Sequence, residues 1–262
     1  MMLRILTLNV ANPSAARAER QIAWLAERPE HVLVLSETSP GAGTRLLLDR
    51  LAAAGWEVRA GPLDARERGV AIATRVRAAP RGGDIVDHLP ARAELVALDR
   101  LHIIGLYVPS RDDSAGKTER KRHFCAALSR FLVERPTYDA VVIGDLNVLE
   151  PIHRPHYGTF RDWEYRLYDE LVVRGFVDAY RLRHPSEMEY SWVDYENHGY
   201  RFDHAFVSHS LAPSVRRCDY DHTPRETDLS DHSALVLELA WPHPIDALEL
   251  HEPLTPDPPS LF

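Results

Sequence analysis

Glu94-Leu95-Val96-Ala97-Leu98 and, after Asp99-Arg100-Leu101, His102-Ile103-Ile104-Gly105-Leu106-Tyr107-Val108 are two apolar runs with no room for a helix between them. They read as strands. A third run, Val70-Ala71-Ile72-Ala73, precedes them, again with no helical pattern in the interval. A wholly parallel sheet needs a long, usually helical crossover between successive strands, so residues 70–108 argue against a doubly wound fold. A mixed-sheet α/β sandwich is predicted instead.

The same pattern extends in both directions. Strand-like runs recur at residues 3–8, 31–35, 140–143, 205–207 and 234–239. Helical periodicity is clearest over 117–134, where Phe124, Leu128, Phe131 and Leu132 share one face, and weaker over 15–28, 44–54 and 162–174. A length of 262 residues fits one large domain, expected over 1–241. Past Trp241 six prolines break any regular element, so 242–262 is expected to be an extended or disordered tail. Its Ser260-Leu261-Phe262 end resembles the Leu-Phe end of bacterial sliding-clamp-binding peptides, a weak protein-binding signal beside the plain reading of a disordered terminus.

Hydrophobic residues at 45% and charged residues at 27% exclude disordered and collagen-like classes, and no apolar run is long enough to span a bilayer. The N-terminus lacks a signal-peptide pattern, so a cytoplasmic location is expected. Cys125 and Cys218 are distant and outside any CxxC spacing, as free thiols would be. A net charge of -8 counts against binding nucleic acid mainly by phosphate neutralisation. Arg120-Lys121-Arg122 could still form a local basic patch, or simply the solvated face of its helix.

Chemistry concentrates at strand ends. Asp139-Ala140-Val141-Val142-Ile143-Gly144-Asp145-Leu146-Asn147 ends in a glycine, an acid and an amide, where open α/β sheets bind ligands. An Asx turn would explain one of Asp145 and Asn147, not both. Glu37 closes Val32-Leu33-Val34-Leu35-Ser36, and Asn9 closes the first strand. Three strands that each deliver an oxygen ligand at one end suit a hard divalent cation. Asp231-His232, before the last strand, adds an imidazole whose tautomer an acid can set. Asp203 enters another strand, with ion pairing to Arg201 as its alternative role.

In order, Leu8-Asn9, Ser36-Glu37-Thr38, Tyr107-Val108-Pro109-Ser110, Gly144-Asp145-Leu146-Asn147, Arg201-Phe202-Asp203 and Ser230-Asp231-His232 resemble the endonuclease/exonuclease/phosphatase superfamily. Gly175-Phe176-Val177-Asp178-Ala179-Tyr180, Tyr190-Ser191-Trp192-Val193-Asp194-Tyr195 and Phe206-Val207-Ser208-His209-Ser210-Leu211 are most similar to its exonuclease III branch of abasic-site DNA endonucleases. The resemblance implies a four-layer α/β/β/α sandwich with two mixed β-sheets. It also implies Mg²⁺, with Mn²⁺ as an alternative, held by Glu37 with Asn9 beside it and Asp231 able to approach. Asp145 would orient or deprotonate the attacking water, and Asn147 would place water and phosphate. Tyr107 would contact the phosphate and Asp203 would assist the leaving oxygen. His232, oriented by Asp231, would stabilise charge on the phosphoryl oxygens. Trp192 and Arg201 are candidate substrate contacts, Trp192 by base stacking or else as a core residue.

The chain departs from that branch at three places. Asn9 is followed by Val10-Ala11-Asn12-Pro13, with Ala11 in the place of the acidic partner that can assist metal binding. Glu37-Thr38-Ser39 lacks a lysine. The stretch after Asn147 is short and carries His153-Arg154-Pro155-His156, expected to form an exposed or phosphate-contacting loop, in place of a longer DNA-gripping insertion. The leading expectation is a Mg²⁺-dependent DNA phosphodiesterase, either an abasic-site endonuclease or a 3′ exonuclease. The alternatives are the same chemistry on RNA, a nucleotide or a small phosphate ester, and a non-catalytic binding module on this fold.

Overall fold

A computed structural model describes residues 1–62, 67–80, 85–134 and 139–250. The first half of the chain contains β1 (Met2–Asn9), α1 (Ala15–Ala26), β2 (Val32–Thr38), α2 (Ala42–Ala53), β3 (Glu57–Ala60), β4 (Gly69–Thr74), β5 (Ala79–Pro80), β6 (Ala93–Leu98) and β7 (Leu101–Tyr107). The second half contains α3 (Ala115–Glu134), β8 (Asp139–Asp145), α4 (Asp162–Val173), β9 (Phe176–Asp178), α5 (Ala179–Arg183), β10 (Trp192–Val193), β11 (Gly199–Tyr200), β12 (Asp203–Ser208), β13 (Val215–Asp221), α6 (Thr223–Glu226) and β14 (Ala234–Ala240).

Two large sheets run β13-β14-β1-β2-β4-β3 and β5-β6-β7-β8-β12-β9. Each has one parallel pair at its centre, β1 with β2 and β7 with β8. Their other neighbours are antiparallel, including the directly connected β6 and β7.

Side-chain alternation divides the apolar residues among three cores. Leu3 and Ile5 of β1, Val32 and Val34 of β2, Ile103 of β7 and Val141 and Ile143 of β8 meet between the sheets. Leu6, Leu8, Leu33 and Leu35 face the other way, onto Ala18, Ile22 and Leu25 of α1 and Leu47 and Leu51 of α2. Ile104, Leu106, Val142 and Phe206 likewise cover Phe124 and Leu128 of α3 and Leu167 and Leu171 of α4. The result is the four-layer α/β/β/α sandwich. The sheets approach closely at Gly105, where a Cβ would lie 2.8 Å from Val34 Cγ1 and 3.2 Å from Ile72.

The edge strand β13 has no counterpart in the apolar pattern, because Val215-Arg216-Arg217-Cys218-Asp219-Tyr220-Asp221 alternates buried and exposed positions under heavy charge. Beyond β14 the chain runs back along β4's exit. Val76 bridges Ala247, Arg77 N–H donates to Asp246 O at 2.8 Å, and Leu248 N–H donates to Arg75 O at 3.0 Å. The Leu261-Phe262 end lies outside the described residues.

Arg201 is no substrate contact. It is completely buried, with Nη2 at 2.6 Å from Asp178 Oδ2 and 2.8 Å from Glu150 Oε2. Asp203 is likewise not its partner. Glu150 also binds Arg181, so two cations and two carboxylates clamp α5 and β9 to the loop after β8. Burial raises the Asp178 carboxyl, but the Arg201 guanidinium and His204 outweigh it and hold it well below the usual carboxylate range. Glu150 is lowered in the same sense, against its burial, by Arg181 and Arg201.

Replacing Arg201 with Met strips the buried Asp178 carboxylate of its guanidinium, while Glu150 keeps Arg181, and should cost about 3–5 kcal/mol in denaturant unfolding at neutral pH. Carboxyls held low when folded stabilise the chain above their unfolded pKa, about 4, and this contribution fades as pH falls. The wild-type advantage over Arg201→Met should therefore be largest above about pH 5 and shrink in acid; a pH-independent difference would contradict the ion-pair account. Gly144, at φ 142, would place a Cβ 2.1 Å from Leu106 O. Gly144→Ala should destabilise by ~1–3 kcal/mol or more and impair activity beyond that loss, since Asp145 follows directly.

Candidate active site

The two central parallel pairs end on the same rim of the sandwich. Asn9 ends β1 and Tyr107 ends β7, while the register sets Asp145 beside both Tyr107 and Asp203. Asn9, Tyr107, Asp145 and Asp203 share the strand parity that faces the opposite sheet. Glu37 falls on the other parity. A β-bulge between Ser36 and Thr38, with Glu37 at φ 60, re-aims it so that it lines the same cleft. Asn147 is also held at positive φ, 48°.

The cleft has a volume of about 450 Å³ and is lined by Asn9, Glu37, Tyr107, Asp145, Asn147, Trp192, Asp231 and His232. Two contacts cross from sheet to sheet. Asn9 Nδ2 donates to Asp145 Oδ2 at 3.0 Å, and His232 Nδ1 donates to Asp203 Oδ2 at 2.7 Å. His232 Nε2 then lies 3.5 Å from Asn9 Nδ2. The loop carrying His232 is tied to β1, as Ser230 Oγ donates to Asn9 O at 2.5 Å and accepts the His232 N–H at 3.0 Å.

These contacts revise two sequence expectations. His232 is oriented by Asp203, not by its neighbour Asp231, which is exposed and accepts the Trp192 indole N–H at 3.1 Å. Asp203 is completely buried and lies behind His232, outside the residues that line the cleft. Only the fold brings Asp203 and His232 together. Ser191, also missed, holds the turn into β12 by accepting the N–H groups of Phe202 and Asp203.

The local electrostatics follow from burial. Burial and the neighbouring Asp203 push the Asp145 carboxyl up to about 7. Burial disfavours the His232 imidazolium, but the charge and hydrogen bond of Asp203 outweigh it and raise the group to about 9. The Tyr107 phenol is pushed up by burial and by Glu37 and Asp145, so it stays a hydrogen-bond donor. Arg92 packs 4.4 Å over its ring and donates to its carbonyl.

Asp145, Asp203 and His232 offer ligand atoms within 4.8 Å of one another, and Asp203 Oδ1 is buried without a hydrogen-bond partner among the described residues. Glu37 adds a carboxylate whose ion-pair partner, Arg68, stands 3.9 Å away. Oxygen donors in excess of local positive charge fit a hard divalent cation.

Other expectations change around the cleft. Trp192 lines it, packing 5.4 Å from Tyr200, with Tyr200 stacked 5.2 Å from Phe202. Lys121 is not on a solvated face: it is buried, donating to Asn147 O at 2.6 Å and to Glu164 Oε1 at 2.7 Å. The helical stripe conceals this, because a lysine between charged neighbours reads as surface. His153 is buried among Tyr157, Tyr190 and Tyr200, while His156 is exposed and stacks near Tyr165, so the loop is exposed only in part.

No helix among the described residues is long and apolar enough to cross a membrane. No curated protein matches the chain significantly. Among solved structures, an AP endonuclease from Archaeoglobus fulgidus superposes with a TM-score of 0.79 at 28% identity, covering 91% of this chain and 100% of that one. A 3′-5′ exonuclease from Neisseria meningitidis, and a Neisseria 3′ phosphatase bound to a product DNA hairpin, each give a TM-score of 0.78 at 24% identity. Each covers 91% of this chain and 100% of its own, and their likeness speaks to fold alone. The endonuclease/exonuclease/phosphatase family pattern matches residues 6–232, from β1 to the cleft histidine. With that span, the chain belongs to the endonuclease/exonuclease/phosphatase family and is a hydrolase acting on phosphodiester bonds.

Proposed function

We propose that the protein is a Mg²⁺- or Mn²⁺-dependent DNA phosphodiesterase that cuts beside abasic sites or trims 3′ ends. The observation that carries the reading is the pair of cross-seam contacts, Asp203 to His232 and Asn9 to Asp145, which hold Asn9, Asp145 and His232 on the wall of one open cleft. The endonuclease and exonuclease likenesses support DNA as the substrate. Free Cys125 and Cys218 support a reducing compartment such as the cytoplasm.

Hydrolysis of a phosphodiester brings water to an anionic phosphorus, so the site must neutralise charge and align the nucleophile. Glu37 and Asn9 would hold the cation, with Asp231 at the cleft edge. When bound, it supplies positive charge against the phosphoryl oxygens. Asp145, with an acidity close to neutral, takes the proton of the attacking water as the new P–O bond forms and the bond to the leaving oxygen breaks. Asn147, whose Nδ2 donates to Val108 O at 2.9 Å, keeps its amide oxygen free to orient that water. His232, cationic at neutral pH, and the Tyr107 hydroxyl meet the charge that builds on the non-bridging oxygens. Asp203 is the positioning residue that keeps His232 charged.

Incubation of the wild type with abasic duplex DNA and Mg²⁺ should yield strand cleavage that EDTA abolishes and added metal restores. Hydrolysis of a generic phosphodiester without any action on DNA would reject the substrate, and EDTA-resistant cleavage would reject the metal. Asp145→Asn and His232→Asn should each lower kcat by ~10²- to 10⁴-fold. Asp203→Asn should lower kcat and also move the alkaline limb of the pH–rate profile to lower pH, because His232 loses the group that raises it to about 9. An unmoved limb would leave Asp203 a merely structural role.

A further inference from the structure

Arg120-Lys121-Arg122 separates in three directions. Arg120 pairs with Glu67, Lys121 turns inward to Glu164, and Arg122 points outward with its guanidinium 4.8 Å from the Trp163 ring centre. Trp163 stands in the first turn of α4, and beside it stand Arg161 and Arg166 on the surface. Together they line a depression of about 790 Å³ that joins the catalytic cleft, with Arg111, Asp113 and Phe160 shared between the two.

Arg111 is committed to the scaffold. Its side chain is 8% exposed and binds Glu164 at 2.8 Å. Arg122, Arg161 and Arg166 differ: each is exposed, and none forms an ion pair among the described residues. The acids on the same rim are Asp113, which lies 3.7 Å from Arg111, and Asp162 in the first turn of α4. On a chain of net charge -8, four arginines against two acids around one aromatic ring, three of them without an ion pair among the described residues, are a local reversal of sign. Stacking on Trp163 also restrains Arg122, lowering the entropy lost when it meets an anion.

We propose that this groove binds the phosphate backbone of a DNA strand on one side of the scissile bond. The inference rests on the nuclease reading and narrows it, because a small phosphate ester filling the cleft would not reach Arg122, Arg161 or Arg166. The groove does the work that the short segment after Asn147 leaves undone. Its contacts set register and affinity and carry no base specificity.

The test compares wild type with the triple variant Arg122→Gln, Arg161→Gln, Arg166→Gln. Binding to a fluorescein-labelled duplex bearing an abasic analogue is measured by anisotropy in EDTA, across a salt series. Hydrolysis of bis(p-nitrophenyl) phosphate with metal reports the integrity of the cleft. Loss of three phosphate contacts should flatten the slope of log Kd against log salt by about 2 to 3 and weaken binding at least ~10-fold at low salt. Activity on the small ester should stay within about twofold, since the cleft is untouched. An unchanged slope and Kd would overturn the groove even if the wild type cleaves DNA. Inactivity of the wild type on both substrates would sink the nuclease reading separately, and the slope comparison would still decide the groove.

Discussion

The carboxylate of Asp203 stands on one sheet and the imidazole of His232 on the loop that enters the other, and their 2.7 Å contact exists only because the sheets close on each other. That closure is the constraint behind the site. It requires Gly105, where any Cβ would strike Val34, and alternating strands that send apolar side chains to both faces. The second cross-sheet contact, Asn9 to Asp145, lies on the same seam. A cleft assembled this way draws its groups from the ends of both large sheets and the loops beside them, so its geometry rests on the core beneath it.

The same seam sets the electrostatics. Burying Asp145 and Asp203 side by side without enough positive charge raises the former toward neutrality, while His232 gains from the latter. An acid and a cation, both matched to chemistry at neutral pH, follow from one arrangement of two aspartates and a histidine. Behind it, Arg201 shows the opposite solution, with full charge pairing to Asp178 and Glu150 and no opening to solvent. Both networks are buried and ionic. What separates scaffold from site is access: the Arg201 network is sealed from solvent, whereas Glu37, Asp145 and His232 line an open cleft.

Much was legible in the chain itself. The runs at 3–8, 70–73, 94–98, 102–108 and 234–239 appear as β1, β4, β6, β7 and β14 because a strand buried on both faces is a continuous apolar run. Edge and short strands such as β13 and β9 were not legible, since charge on one face or brevity hides the period. Of the site, Asn9, Glu37, Tyr107, Asp145, Asn147, Asp231, His232 and Trp192 all line the cleft. The partners of His232 and Arg201, and the inward turn of Lys121, were misread for one reason: which charge meets which is a question of distance in space, and neighbours in sequence are poor guides to it.

Taken alone, then, the sequence determined the apolar periods, and through them the strands, helices and mixed sheets, because burial acts on each residue locally. It also determined which polar groups stand at strand ends. Tertiary structure decided the pairing of Asp203 with His232, the re-aiming of Glu37 by a bulge, and the union of Arg122 with Arg161 and Arg166 around Trp163. Each depends on register and layer packing, which join positions far apart in the chain through distances that no local pattern encodes.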